Sequence, residues 1–377
     1  MAAIAASPEA VTIPEKEAQV YVAPQWKLVW WKFRKHKVAL VSGVIVILIY
    51  LVAILVEFLA PFPPSKTDAK FLYAPPQTLH LFDQQGRFGP YVNGYTSQIE
   101  PVALRRVFVV DPSAEIPVRF FVEGYEYRLL GLIPTNRHLI GPVDQNQPMY
   151  LLGADRLGRD LLSRLISGTR VSMSIGLIGV LLSLVLGILL GGLSGYYGGA
   201  VDNLIQRVIE FLRSIPSIPL WMGLAAALPL NWPPERVYFG ITVILSLIGW
   251  TGLARVVRGR FLSLREEDFV MAARLDGQSE LGIILFQMLP AFTSHIIAAI
   301  TLAIPGMILS ETALSFIGLG LREPVVSWGV LLYEAQDIRS IATAPWLLIP
   351  ALAVVLAVLT LNFLGDGLRD AADPYTR

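Results

Sequence analysis

Residues 261–290 read FLSLREEDFVMAARLDGQSELGIILFQMLP, a polar island between apolar runs. Its first half places Phe269, Ala272 and Ala273 on one helical face at i, i+3 and i+4, with Glu266, Glu267 and Arg274 elsewhere around the axis. Gly277 can take positive φ and so ends that helix at little cost. Ser279 followed by Glu280 reads as the N-cap and first-turn acid of a second helix, and Pro290 marks where the next one begins. The expected product is two short helices joined by a tight turn, with adjacent alanines leaving a surface that another protein can approach closely. A connector between two membrane helices with no partner is the plainer alternative, because short motifs recur by chance.

Composition sets the class in which that stretch sits. Hydrophobic residues make up 54% of the chain and charged residues 16%, with a mean hydropathy of +0.58, a balance that points to an integral membrane protein. A net charge of +1 gives no concentrated basic surface for nucleic acid. The chain has no cysteine, which excludes disulfides, thiolate metal sites and cysteine nucleophiles.

Residues 1–25 mix Ala, Pro and Glu without an apolar run and read as a disordered cytoplasmic tail. In residues 26–60, Lys27, Lys32, Arg34, Lys35 and Lys37 precede an apolar run over 38–55, and Trp26, Trp30 and Trp31 form an interfacial belt. The bias of positive charge keeps this end of the first transmembrane helix in the cytoplasm. Residues 61–150 are polar, rich in Pro and Gly, and carry no spanning run, so they fall outside. Within them the β-branched and aromatic runs 118–122 and 125–130 predict a hairpin turning at Glu123-Gly124, in a small β-containing insertion.

Residues 151–377 hold five further spans. Arg159 is expected to pair locally with Asp155. Gly187, Gly191 and Gly195 recur every fourth residue, the small face on which membrane helices pack backbone to backbone. Asp202, Arg207, Glu210 and Arg213 form a short amphipathic piece assigned to the cytoplasmic side, and a third span is expected over 214–230. The fourth, 238–253, delivers Arg255, Arg258 and Arg260 to the cytoplasm and with them the 261–290 loop. The fifth runs over 291–309 with a kink at Pro305-Gly306, and the sixth over 346–364. His295 reads as a buried hydrogen-bonding residue. Glu311, near the outer end of the fifth span, is either paired inside the bundle or part of a solute path, with Ser315 and Phe316 beside it as candidates for an outer gate.

Several chemistries lack their residues. No G-x-x-x-x-G-K-[ST] occurs, so ATP has no Walker loop on this chain. His36, His80, His138 and His295 are too scattered for a local metal motif, no serine sits in G-x-S-x-G, and no inverted repeat of the secondary-transporter kind is visible.

The pattern Ala272, Ala273, three residues, Gly277, then Leu289-Pro290 resembles the cytoplasmic "EAA" loop of ABC importer permeases, with Met271 in place of the leading acid and Gln287 where relatives often carry histidine. The stretch LGADRLGRDLLSRLISGTRVS, residues 152–172, resembles the signature of the C-type permease subunits of oligopeptide and dipeptide importers, with Ala154 replacing a threonine. The SETALSFIGLG run and Ser327-Trp328-Gly329 are similar to that family's outer re-entrant segment, and the end of the chain, with Asp373-Pro374, to its cytoplasmic tail.

The resemblance implies an all-α integral membrane fold of six transmembrane helices, in a prokaryotic plasma (inner) membrane with both termini cytoplasmic. It implies a heterodimer with a second permease subunit, one or two ABC ATPase subunits carrying ATP and Mg, and an extracytoplasmic solute-binding protein. Asp268, Phe269, Ala272, Ala273, Arg274, Asp276 and Gly277 would couple to the ATPase. No catalytic residue, cofactor or metal is expected on this chain. Oligosaccharide and nickel importers share the pattern; an ATPase-independent channel or secondary carrier, or a membrane hydrolase, represents other classes.

Overall fold

The computed structural model describes residues 25–82, 86–101, 106–229 and 231–372, without the side-chain surroundings of Gln25, Trp26, Ser294, His295 and Arg339. The readings of the tail before Gln25, of the His295 side chain and of Asp373-Pro374 lie outside the described residues. Helix α1 (Gln25–Phe33) leads into α2 (Lys37–Ile54) and the single turn α3 (Val56–Leu59). The 18 residues of α2 rise about 27 Å, the thickness of a hydrocarbon core. Its last carbonyls, left without intrahelical donors, are met by one arginine: Arg170 Nε donates to Ala53 O at 2.8 Å and Nη2 to Ile54 O at 3.1 Å, while the guanidinium also pairs with Glu57.

Four antiparallel strands follow in sequence order: β1 (Leu79–Phe82), β2 (Phe88–Ile99), β3 (Arg106–Leu129) and β4 (Ile133–Pro142). Phe62, Val92, Ile116, Val118 and Met149 form their shared core. The hairpin expected at Glu123-Gly124 turns later. Strand β3 continues through Gly124 with a register shift between Glu123 and Tyr127, and the chain reverses at Leu130 and Gly131, both at positive φ. Gly124 serves another purpose: a Cβ there would fall 2.5 Å from Cδ2 of His138, the buried ring that bridges Glu57 O and Tyr125 O.

Five segments are long and apolar enough to cross a membrane among the described residues: α2, α4 (Leu161–Tyr197), α7 (Pro234–Leu264), Ile296–Phe316 within α10 (Thr293–Phe316), and Pro345–Ala372, which contains α13 (Ile349–Ala372). Helices α4 and α7 run parallel. Tyr238 donates to Ser174 Oγ at 2.9 Å and Ser246 to Gly179 O at 3.0 Å, and a Cβ at Gly187, Gly191 or Gly195 would meet Leu253, Ala254 or Phe261 at 2.5–3.0 Å. Residue numbers in the two helices rise together along this seam, so the chain between them has to travel back.

It does so in two pieces, α5 (Gly199–Ser214) and α6 (Ser217–Ala226), broken at Ile215-Pro216. Arg258 holds Asp202 with two bonds of 2.5 Å, Ile209 clusters with Trp250 and Ala254, and Leu228 lies 3.3 Å from where a Cβ of Gly240 would be. The pair α5–α6 is therefore antiparallel to α7 from Arg258 to Gly240, about 27 Å of rise. The third span expected over 214–230 is corrected accordingly. Ten residues of α6 cover only about 15 Å, and the amphipathic α5, assigned to the cytoplasm from its charges, supplies the remainder. Helix α10 continues through Pro305.

Candidate functional site

Beyond α7 the chain forms α8 (Asp268–Leu275), a turn, and α9 (Glu280–Ala291), the helix pair expected from the sequence. The turn is a Schellman motif: Gln278 N–H donates to Ala273 O and Gly277 N–H to Arg274 O, each at 3.1 Å. Gly277 sits at φ +74° with nothing within 4 Å of a would-be Cβ, so the backbone conformation, and not crowding, requires glycine. Ser279 Oγ caps α9 by accepting from Gly282 N–H at 3.2 Å. The middle of α9, Ile283–Met288, opens into wider π turns, with Leu289 N–H reaching Ile284 O just before Pro290, which has no donor of its own.

The loop stands on a core of Tyr196, Val257, Phe261, Val270, Ala273, Ile283, Ile284 and Met288. Ala273 belongs to that core at 5% exposure, so it does not lie on one accessible face with Phe269 and Ala272. On an eight-residue helix resting on the bundle, Val270 and Ala273 at i and i+3 take the inward side. Asp268, Phe269, Ala272, Arg274, Asp276 and Gly277 remain exposed, as do Met271, Leu275 at 88% and Phe286 at 75%. Arg274 lies 5.0 Å over the Tyr196 ring, and Tyr197 donates to Glu280 at 2.5 Å, fixing the loop to the end of α4. Below it, Asp202 accepts from Arg258 and Ser194, which ties the start of α5 to α4 and α7. The sequence fold therefore leaves apolar side chains facing outward on a rigid base.

At the other end of the bundle the polar groups are buried and paired. Glu311 is fully buried and accepts from Ser172 (3.2 Å), Ser315 (2.8 Å) and Ser327 (2.7 Å). Each serine in turn accepts a backbone N–H, from Trp328, Leu321 and Val330 respectively. The carboxylate thus organises the 317–330 segment through three hydroxyl relays. Of the three outer-gate candidates, Glu311 and Ser315 open to no surface and Phe316 alone is exposed.

Arg159 and Arg164, both buried, likewise close a cluster of carboxylates that reaches the surface at Glu323. Arg159 bonds Asp155 and Glu323 at 2.7 Å and Glu334 at 2.8 Å, and Arg164 bonds Glu323 at 2.8 Å, Glu334 at 2.9 Å and also Asp155. Burial pushes Glu334 above the usual range, with Asp155 adding to it against the arginines; burial also raises Glu323, but the two guanidiniums outweigh it and hold that carboxyl low. Burial carries Asp160, the N-cap of α4, up to about 6 against its bonds from Ser163. The Asp155–Arg159 contact was expected. Glu323 and Glu334 were not, although a run of arginines beside a membrane span is itself a sign that carboxylates come from elsewhere.

These features define a polytopic membrane protein with a closed polar junction at one end of the bundle and a protruding helix pair at the other. Residues 183–377 match the model of the binding-protein-dependent transport system inner membrane component, and residues 24–76 that of the N-terminal TM domain of oligopeptide transport permease C. The oligopeptide transport system permease protein OppC of Haemophilus influenzae is 38% identical over 244 residues, 64% of this chain and 76% of that protein. The dipeptide transport system permease protein DppC of Lactococcus lactis is 32% identical over 346 residues, 92% of this chain and 89% of that one. The chain belongs to the family of binding-protein-dependent transport system inner membrane components.

Proposed function

We propose that this chain is one permease subunit of an ATP-driven importer of oligopeptides or dipeptides, working as a heterodimer with a second permease. The observation that carries the reading is the exposed α8–α9 pair, whose apolar side chains stand out on a rigid base, on a chain of this family. ATP and Mg belong to one or two separate ATPase subunits, which seat α8 through Phe269, Ala272 and the Gly277 turn. The chain crosses the inner membrane six times, α5–α6 supplying the sixth crossing, with both termini and the α8–α9 loop in the cytoplasm. This follows from the Lys and Arg flanks at 27–37 and 255–260. Residues 61–150 form an outer domain over the mouth, where a solute-binding protein delivers its cargo. Closure of the ATPases on ATP tilts the two permeases between inward-open and outward-open arrangements, driven by the nucleotide's differential affinity for the two states.

The solute class is supported by the names of the relatives, which are peptide transport permeases. The test is uptake of labelled di- to pentapeptides by the whole importer in proteoliposomes, together with the mass of the ligand that copurifies with the binding protein. ATP-dependent accumulation of a peptide is expected; accumulation only of a sugar or a metal ion, or uptake without the ATPase, contradicts the proposal.

A further inference from the structure

Helix α5 exposes two stripes of opposite chemistry, with Arg213 exposed between the polar one and the packed side. Asn203, Arg207, Glu210 and Ser214 recur at i, i+4, i+7 and i+11 and form a polar one. Within it Arg207 donates to Glu210 at 2.8 Å, with the two side chains 82% and 52% exposed. Leu204, Val208 and Phe211, about a quarter turn away, form an apolar one. The remaining side, with Ile205, Ile209 and Leu212, packs on Leu186, Leu190, Trp250 and Ala254.

Depth separates these stripes from those of an ordinary surface helix. Ile209 lies level with Trp250 and Ala254, and α5 climbs from there toward the level of Gly240. Glu210 and Ser214 therefore sit within the slab set by the apolar stretch of α7. An exposed acid and hydroxyl at that depth are stable against water or polar protein, not against acyl chains. Glu311, another acid within a spanning helix, is sealed by its three serines and offers nothing to a passing solute.

We infer that the Asn203, Arg207, Glu210 and Ser214 face of α5 borders the aqueous passage through the assembled importer, with the apolar stripe turned to lipid or to the second permease. Charges of both signs on one face suit a solute carrying both an ammonium and a carboxylate. The identity of that solute rests on the function proposed above; the water-lined face does not.

The absence of native cysteine allows a direct test. Single variants Asn203→Cys, Glu210→Cys and Ser214→Cys are compared with Val208→Cys and Phe211→Cys in the complete importer, using a charged, membrane-impermeant methanethiosulfonate reagent. The polar set is expected to react on the order of ten-fold faster, as water access at membrane depth demands, and its rates to change when nucleotide is trapped on the ATPase. Equal protection of both sets, from lipid or a tight subunit contact, overturns the inference. Equal rapid labelling of both also overturns it. Ser214→Cys exchanges only oxygen for sulfur, and ATP hydrolysis stimulated by the binding protein verifies its assembly. Peptide uptake is measured in parallel: the labelling pattern without peptide uptake overturns only the solute class.

Discussion

The α8–α9 loop at one end of the bundle and the arginine–carboxylate junction at the other end up in opposite states. At the arginine–carboxylate junction and beside it, Arg159, Arg164, Asp155, Glu334 and Glu311 are buried and bonded within the chain. At the α8–α9 loop Phe269, Met271 and Leu275 on α8 and Phe286 on α9 are apolar and exposed, on a helix pair whose inward sides are already filled. Polar groups satisfied inside one chain are architecture; apolar groups left outside on a rigid base await another chain.

The contrast breaks most sharply at Arg164. Arg164→Met leaves Arg159 alone among three carboxylates, of which Asp155 and Glu334 are buried, a loss expected at about 3–5 kcal/mol. Thermal unfolding in detergent should show a greatly lowered midpoint or no recoverable folded protein. A midpoint near wild type would mean the arginine–carboxylate cluster is no more necessary than a surface pair.

Ala273 and Ala272 sharpen the comparison because they are neighbours on α8, one buried against the bundle and the other exposed. Ala273→Trp overfills the core formed by Val270, Phe261 and Ile283 and is expected to cost about 1–3 kcal/mol of stability. It tests folding, not the partner contact. Equal stability of the Ala273→Trp and Ala272→Trp proteins would show that α8 does not sit on the bundle as described. Gly277→Val has free space around it and costs only backbone strain, about 1–2 kcal/mol. Unfolding should shift slightly while binding-protein-stimulated ATP hydrolysis falls sharply, because α9 is re-aimed; unchanged stimulation would free the turn from any role in coupling.

Much of the α8–α9 loop was legible in the sequence because its signals are local. A glycine at the turn, Ser279 three residues before the N–H it caps and two short amphipathic runs specify the helix pair without distant contacts. What side each alanine faced was not legible, since Phe269, Ala272 and Ala273 share a helical arc and only the bundle decides that Val270 and Ala273 turn inward. The arginine–carboxylate junction was legible in half. Arg159 and Asp155 lie one turn apart, but Glu323 and Glu334 reach them across more than 150 residues of chain. The bounds of the third apolar segment were not legible for a related reason. Charges on α5 set it apart from the apolar run after Pro216, and only the parallel run of α4 and α7 shows that the chain has to return along them. Gly124 resembled a turn and proved to be space for the ring of His138.

The central claim, that the exposed face of α8 holds a separate ATPase, is tested most directly by Ala272→Trp. The variant permease, assembled with its partner subunits, is assayed for retention of the ATPase by pull-down and for stimulation of hydrolysis by loaded binding protein in proteoliposomes. Retention should weaken on the order of ten-fold, the equivalent of about 1.4 kcal/mol at the interface, with stimulation lost and the thermal midpoint of the permease unchanged. Normal retention together with normal stimulation would contradict the account and leave the 261–290 loop as a connector between two membrane helices.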